Sequence, residues 1–199
     1  MKYVSIDIET TGLNPETCDV LEIAAVVEDT NHPEVPVHEL PWFHCYVDKH
    51  SYQGEPYALS MHGEIFRRIA KREKPHAYLL PEDAVTQLFV FLNRTLGIEK
   101  NFPAAGKNFS NLDKPFLHRL TKSASQILSF HHRVIDPAMF YWNPTEDVEL
   151  PSSKVCLERS GVGGGVAHTA LADAQMVIHL VRSHQAKLSS SGYLLETHT

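Results

Sequence analysis

Four carboxylates stand at positions where packing alone would choose carbon. Asp7 and Glu9 are two apart in Tyr3-Val4-Ser5-Ile6-Asp7-Ile8-Glu9, so on an extended strand both project from one face. A like-charged pair on a central strand is costly unless a cation lies between them; a solvated face or a sheet edge is the alternative. Asp113 is followed by Phe116, Leu117 and Leu120 at spacings of three, four and seven, which puts it on the apolar stripe of a helix or at the helix cap. Asp173 falls beside the stripe Ala170, Ala174, Val177 and Val181, where Thr169 is the better cap. An aspartate in such a stripe is seldom left without a metal or a basic partner. Hard divalent ions answer all four anomalies. Mg²⁺ or Mn²⁺ prefers carboxylate and water oxygens, and two such ions about 4 Å apart steady the attacking and leaving oxygens of an in-line phosphodiester cleavage. His168 ends a glycine-rich stretch and precedes Asp173 by five residues, which makes it the candidate base for the attacking water.

These side chains need a scaffold. Residues 2–9 alternate, with Val4, Ile6 and Ile8 on one side and Tyr3, Ser5, Asp7 and Glu9 on the other, which predicts a half-buried strand. Thr10 to Pro15 breaks it. Residues 20–27 predict a second strand and residues 37–47 a third. Residues 63–74 predict a short basic helix. Pro81-Glu82-Asp83 opens a clearer one with the stripe Ala84, Leu88, Phe91 and Leu92, stopped by Gly97. Residues 102–109 predict a short strand, 111–120 a helix, 134–135 a strand segment and 168–181 a last helix. The glycine-rich residues 161–165 predict a mobile loop, and the polar sequence from Ser183 onward a frayed tail. This order of elements predicts one α/β domain over residues 1–183 with a polar tail at 184–199.

The chain has 199 residues, a net charge of −6, 43% hydrophobic and 21% charged residues. That is one domain with a full core. No apolar run approaches the ~20 residues that span a bilayer, and Asp7 interrupts any signal peptide. Three cysteines, Cys18, Cys45 and Cys156, are too few and too far apart for a disulfide framework or a zinc site, so a reducing cytoplasm is expected. The acidic balance excludes holding long nucleic acid by bulk charge. One basic cluster, Arg67, Arg68, Lys71, Arg72 and Lys74, reads either as a solvated helix face or as a phosphate-tracking patch, and the lack of other basic surface favours short or single-stranded ends.

Three segments together resemble the DEDDh, or DnaQ-like, 3′-to-5′ exonucleases: Asp7-Ile8-Glu9-Thr10-Thr11-Gly12-Leu13, Asn108-Phe109-Ser110-Asn111-Leu112-Asp113, and His168-Thr169-Ala170-Leu171-Ala172-Asp173. Met61-His62-Gly63 resembles an element after the third strand of many of these enzymes. The resemblance implies a ribonuclease-H-like fold, a mixed five-stranded sheet flanked by helices. It implies that Asp7, Glu9 and Asp173 hold two Mg²⁺ or Mn²⁺ ions, that Asp113 supports the second through water, and that His168 is the general base. Thr10, Thr11, Gly12 and Leu13 would lie against the terminal nucleotide, with Leu13 as an apolar wedge. The stretch Phe130-His131-His132-Arg133-Val134-Ile135-Asp136 is similar to an oligoribonuclease segment and implies a phosphate contact for Arg133. It departs at His132, where those enzymes carry tyrosine, and at Pro137-Ala138, where they carry serine. Ribonuclease-T-like and proofreading-subunit readings therefore stay open. The expected partner is single-stranded or short RNA or DNA, with no membrane; many relatives are homodimers. The expected activity is release of nucleoside 5′-monophosphates from 3′ ends, and the alternative is an accessory subunit docked on a polymerase or repair partner.

Overall fold

The first two strands form because nearly every side chain in them finds a buried face. The computed structural model describes residues 1–163 and 169–190. Strand β1 (Lys2–Thr10) pairs antiparallel with β2 (Val20–Asp29), and β2 with β3 (Trp42–Val47). Two short parallel additions, β4 (Tyr78–Leu79) beside β3 and β5 (Ala104–Ala105) beside β1, complete a mixed sheet of order β4-β3-β2-β1-β5. The described helices are α1 (Pro56–Met61), α2 (Gly63–Lys71), α3 (Pro81–Leu96), α4 (Asp113–Arg119), α5 (Ala124–Ile127), α6 (Ser153–Ser160) and α7 (Ala170–Ser190). Among the described residues, no helix is long and apolar enough to cross a membrane.

The sheet separates two cores. On one side Val4, Ile6 and Ile8 of β1 pack with Ala84, Val85, Leu88 and Leu92 of α3 and with Phe116 and Leu117 of α4. On the other, Tyr3, Ala24 and Val26 meet Ala170, Ala174, Val177, Ile178 and Val181 of α7. The half-buried reading of β1 is therefore corrected: Tyr3 and Ser5 are buried too, because α7 lies over the face that alternation marks as polar. Alanines on both partners let the helix backbone come close to the sheet. A buried ion pair fastens the far part of α7: the Arg182 guanidinium donates to both oxygens of Glu28 at 2.5 and 2.9 Å, and to the Val35 carbonyl at 2.6 Å.

Helix α3 follows its sequence signals, with Pro81 first, Glu82 and Asp83 in the first turn, and Gly97 in the left-handed conformation donating to the Asn93 carbonyl at 2.9 Å. Elsewhere the boundaries move. The third strand begins at Trp42, not 37, because Val37–Glu39 is a 3-10 turn between prolines. The strand expected over 102–109 shrinks to Ala104–Ala105, since Pro103 lacks a donor and the chain turns from Lys107 onward. Bridges from Phe102 to Phe130 and from Ala105 to Ile135 carry on its pairing, and the second of these is all that forms of the expected 134–135 strand. Helix α7 runs on to Ser190, so residues 184–190, expected in a frayed tail, are helical. Helices α1, α5 and α6 have no counterpart in the sequence reading. Of the glycine-rich stretch only residues 161–163 are described, and Gly161 caps α6.

Candidate active site

The carboxylates gather where α7 begins over the C-terminal end of β1. Two-residue spacing aims Asp7 and Glu9 at the same side, and Asp173 in the first turn of α7 reaches them from above. One oxygen from each of Asp7, Glu9 and Asp173 lies within 4.8 Å of the other two. Asp113 arrives from the opposite core. It is the first residue of α4, and its Oδ1 accepts the backbone N–H of Ile8 at 3.2 Å. It is thus neither a cap for its own helix nor left without a partner; it is tied to the strand between Asp7 and Glu9.

The electrostatics are those of crowded, half-buried acids. Burial, and then the charges of Asp113, Asp173, Glu9 and Glu22, hold Asp7 well above the usual carboxylate range. Burial, and then Glu22, Asp173 and Asp113, push Glu9 up to about 8. Burial raises Asp113 to about 7 against the pull of two backbone N–H groups, its own and that of Ile8. Asp7, Glu9 and Asp173, with no thiolate among them, are a donor set for a hard divalent cation, whose charge would oppose these shifts; Asp113 lies behind them and is not among the oxygens that converge within 4.8 Å. His62 stands beside the cluster, with Nε2 3.6 Å from Glu9 Oε2.

The loop after β1 builds a cavity against this cluster. Its backbone is held by Thr11, whose hydroxyl donates to the Gln53 carbonyl and accepts the Asp19 N–H at 2.7 Å. The loop packs closely at Gly12: a Cβ there would stand 2.5 Å from Cys18 Sγ and 2.8 Å from Glu55 Cδ, so those side chains would have to shift. Thr10 closes the turn through a 2.7 Å bond to the Gly12 carbonyl. Leu13 is left 73% exposed. A cavity of about 310 Å³ results, lined by Glu9, Thr10, Leu13, Tyr57, Met61 and His62 among others. Thus Thr10, Gly12 and Leu13 line it, while Thr11 is buried behind them.

Arg133 is not brought there. It lies in an exposed segment outside the cavity lining, and among the described residues its guanidinium forms no ion pair. Asp136, beside it, caps the 3-10 turn at Pro137–Phe140 and accepts the Asn108 N–H at 2.9 Å. The basic cluster on α2 is mostly spent on neighbours: Arg67 pairs with Glu64 and Glu73, Arg68 with Glu64 and the Tyr46 hydroxyl, and Arg72 with Asp48. That favours the solvated face over the phosphate track. His168 lies outside the described residues. The sequence reading missed Glu55 and Tyr57 as cavity residues, and no spacing signal marks them, because a short helix after an irregular loop brings them in.

A mixed five-stranded sheet flanked by helices, with acids gathered from its first strand and the last described helix, has the ribonuclease-H-like fold. The chain belongs to the exonuclease family to which ribonuclease T gives its name: the family model described as Exonuclease matches residues 4–181. Within it the DEDDh enzymes are the group it resembles. The nuclease domain of 3′hExo, a DEDDh family member bound to rAMP, superposes with a TM-score of 0.59 at 18% identity, covering 100% of this chain and 96% of that one. Escherichia coli exonuclease I in complex with a dT13 oligonucleotide gives 0.65 at 16% identity over 96% of this chain and 43% of its own. Cell-death related nuclease 4 gives 0.63 at 18% identity over 96% and 64%. The chain therefore spans less than two thirds of the last two proteins. No curated protein sequence matches it.

Proposed function

We propose that this chain is a two-metal 3′-to-5′ exonuclease that trims single-stranded or short nucleic acid to nucleoside 5′-monophosphates. The convergence of Asp7, Glu9 and Asp173 carries the reading, with Asp113 supporting the second ion through water. When bound, a pair of Mg²⁺ or Mn²⁺ ions supplies Lewis acidity at the scissile phosphate. The rest is done by the chain. The cavity beside Glu9 takes the terminal nucleotide, with Leu13 against its base and Thr10 and Gly12 along its sugar. His168 takes the proton from the attacking water at a ring nitrogen. The likeness to a nuclease domain holding rAMP and to an exonuclease holding dT13 supports a single-stranded substrate.

An accessory subunit would dock through the tail after Ser183 and the stretch around Pro33, Pro36 and Pro41; the second is used by the fold itself, with Val37 and Leu40 buried against the α7 core. Catalysis by the isolated chain is accordingly the reading put forward. The test is digestion of 5′-labelled RNA and DNA strands of two to about twenty nucleotides with Mg²⁺ or Mn²⁺. A ladder shortening from the 3′ end, lost in Asp7→Ala and Asp173→Ala, is expected. Undiminished digestion by Asp7→Ala would end the proposal, and activity only with an added partner would favour the accessory role. His168→Ala should lose turnover and keep Mn²⁺ binding.

A further inference from the structure

Glu22 is a carboxylate at this site that the mechanism above leaves unused. It stands directly opposite Glu9 in the β1–β2 register, so the two side chains share a face, an arrangement that destabilises a ladder when both are charged. It is 1% exposed, and its charge is felt by both Asp7 and Glu9. One of its oxygens is taken: His44 Nε2 lies 2.6 Å from Oε1. The ring of His44 is itself held edge-on by Tyr46 at 5.1 Å and by His76 at 5.8 Å between centroids, so the carboxylate has little freedom to turn. The other oxygen, Oε2, is buried with no hydrogen-bond partner among the described residues. A buried acceptor left in that state is costly, and the adjacent acids offer it no donor when ionised. A cation held by Asp7, Glu9 and Asp173 would offset the repulsion that Glu22 adds to them.

We propose that Glu22, oriented by His44, is a positioning residue of the cation site: a fifth carboxylate that strengthens divalent-ion binding by Asp7, Glu9 and Asp173. The inference rests on the metal-dependent reading of the site. It differs from a merely structural role, in which the Glu22–His44 pair would only join β2 to β3 and the ion would be indifferent to it.

Calorimetric titration of the chelator-stripped full chain with Mn²⁺ alone separates these. Glu22→Gln keeps the shape and an acceptor for His44 and removes only the charge; the Mn²⁺ Kd should rise about tenfold, as for other groups that support metal ligands, while the melting temperature without metal does not fall. His44→Phe leaves every carboxylate in place, keeps a ring and removes the donor to Glu22, so the Kd should rise in the same direction by less; it also supplies the answer if Glu22→Gln fails to fold. A wild-type Kd in the folded variants, with stability lowered, overturns the inference and leaves a structural pair. Absence of Mn²⁺ uptake by the wild type would overturn the metal-dependent reading and this inference with it, whereas uptake unchanged by Glu22→Gln and His44→Phe overturns this inference alone.

Discussion

The backbone N–H of Ile8 donates to Oδ1 of Asp113 across 105 residues of sequence. The residue between the two strand acids is thereby joined to the first residue of α4, and a catalytic candidate doubles as a clamp between strand and helix. Charge and clamp are separable. Asp113→Asn keeps an acceptor for Ile8 and should be as stable as the wild type in the absence of metal, yet much less active. Asp113→Ala leaves a buried donor unsatisfied and should lose about 1–3 kcal/mol as well. Urea denaturation beside oligonucleotide digestion reads both, and equal stability losses in the two variants would show that the clamp is not there.

The acids also make stability depend on pH. Asp7, Glu9 and Asp113 are all raised above their ordinary values in the folded chain, so the folded state binds more protons than the unfolded one. Their contribution is fully present below the unfolded carboxylate range and is lost as pH rises through about 7 and 8. Melting temperature in chelator should fall between pH 5 and pH 9, and added Mn²⁺ should restore it most at the alkaline end. A flat or rising profile in chelator would contradict the crowding.

Arg182 and Glu28 hold α7 to β2 from within the protein. Arg182→Ala strands a buried carboxylate and should cost about 3–5 kcal/mol, as broken buried pairs do. Because α7 carries Asp173, Mn²⁺ affinity should weaken too. A denaturation midpoint within experimental error of the wild type would show the pair to be dispensable.

Leu13 makes the opposite case. Its side chain is largely in solvent, so Leu13→Ala should change stability by less than about 0.5 kcal/mol. If it packs on the terminal base, KM for a short oligonucleotide should rise several-fold with kcat less affected. An unchanged KM would remove Leu13 from the substrate cavity.

The candidate site was largely legible in the chain because its chemistry conflicts with packing. Asp7 and Glu9 break a strand's apolar character with a spacing that can only mean one face, and Asp173 does so in a helix. Glu22 is not marked as a site acid by that conflict, because it sits singly within an apolar run; the register opposite Glu9 and the His44 contact are what give it meaning. Arg133 shows the converse. A motif-like neighbourhood in sequence did not bring its side chain to the cavity.

Side-chain types and local spacing determined the strand pair, α3 with both its ends, and the acids with their common face, since these follow from periodicity within a few residues. Tertiary packing alone decided that both faces of β1 are covered, that α7 continues to Ser190, and that Asp113 answers to Ile8. Each of these depends on which distant segment lies against which, and the free energy of that choice resides in burial between elements rather than in any stretch of the chain itself.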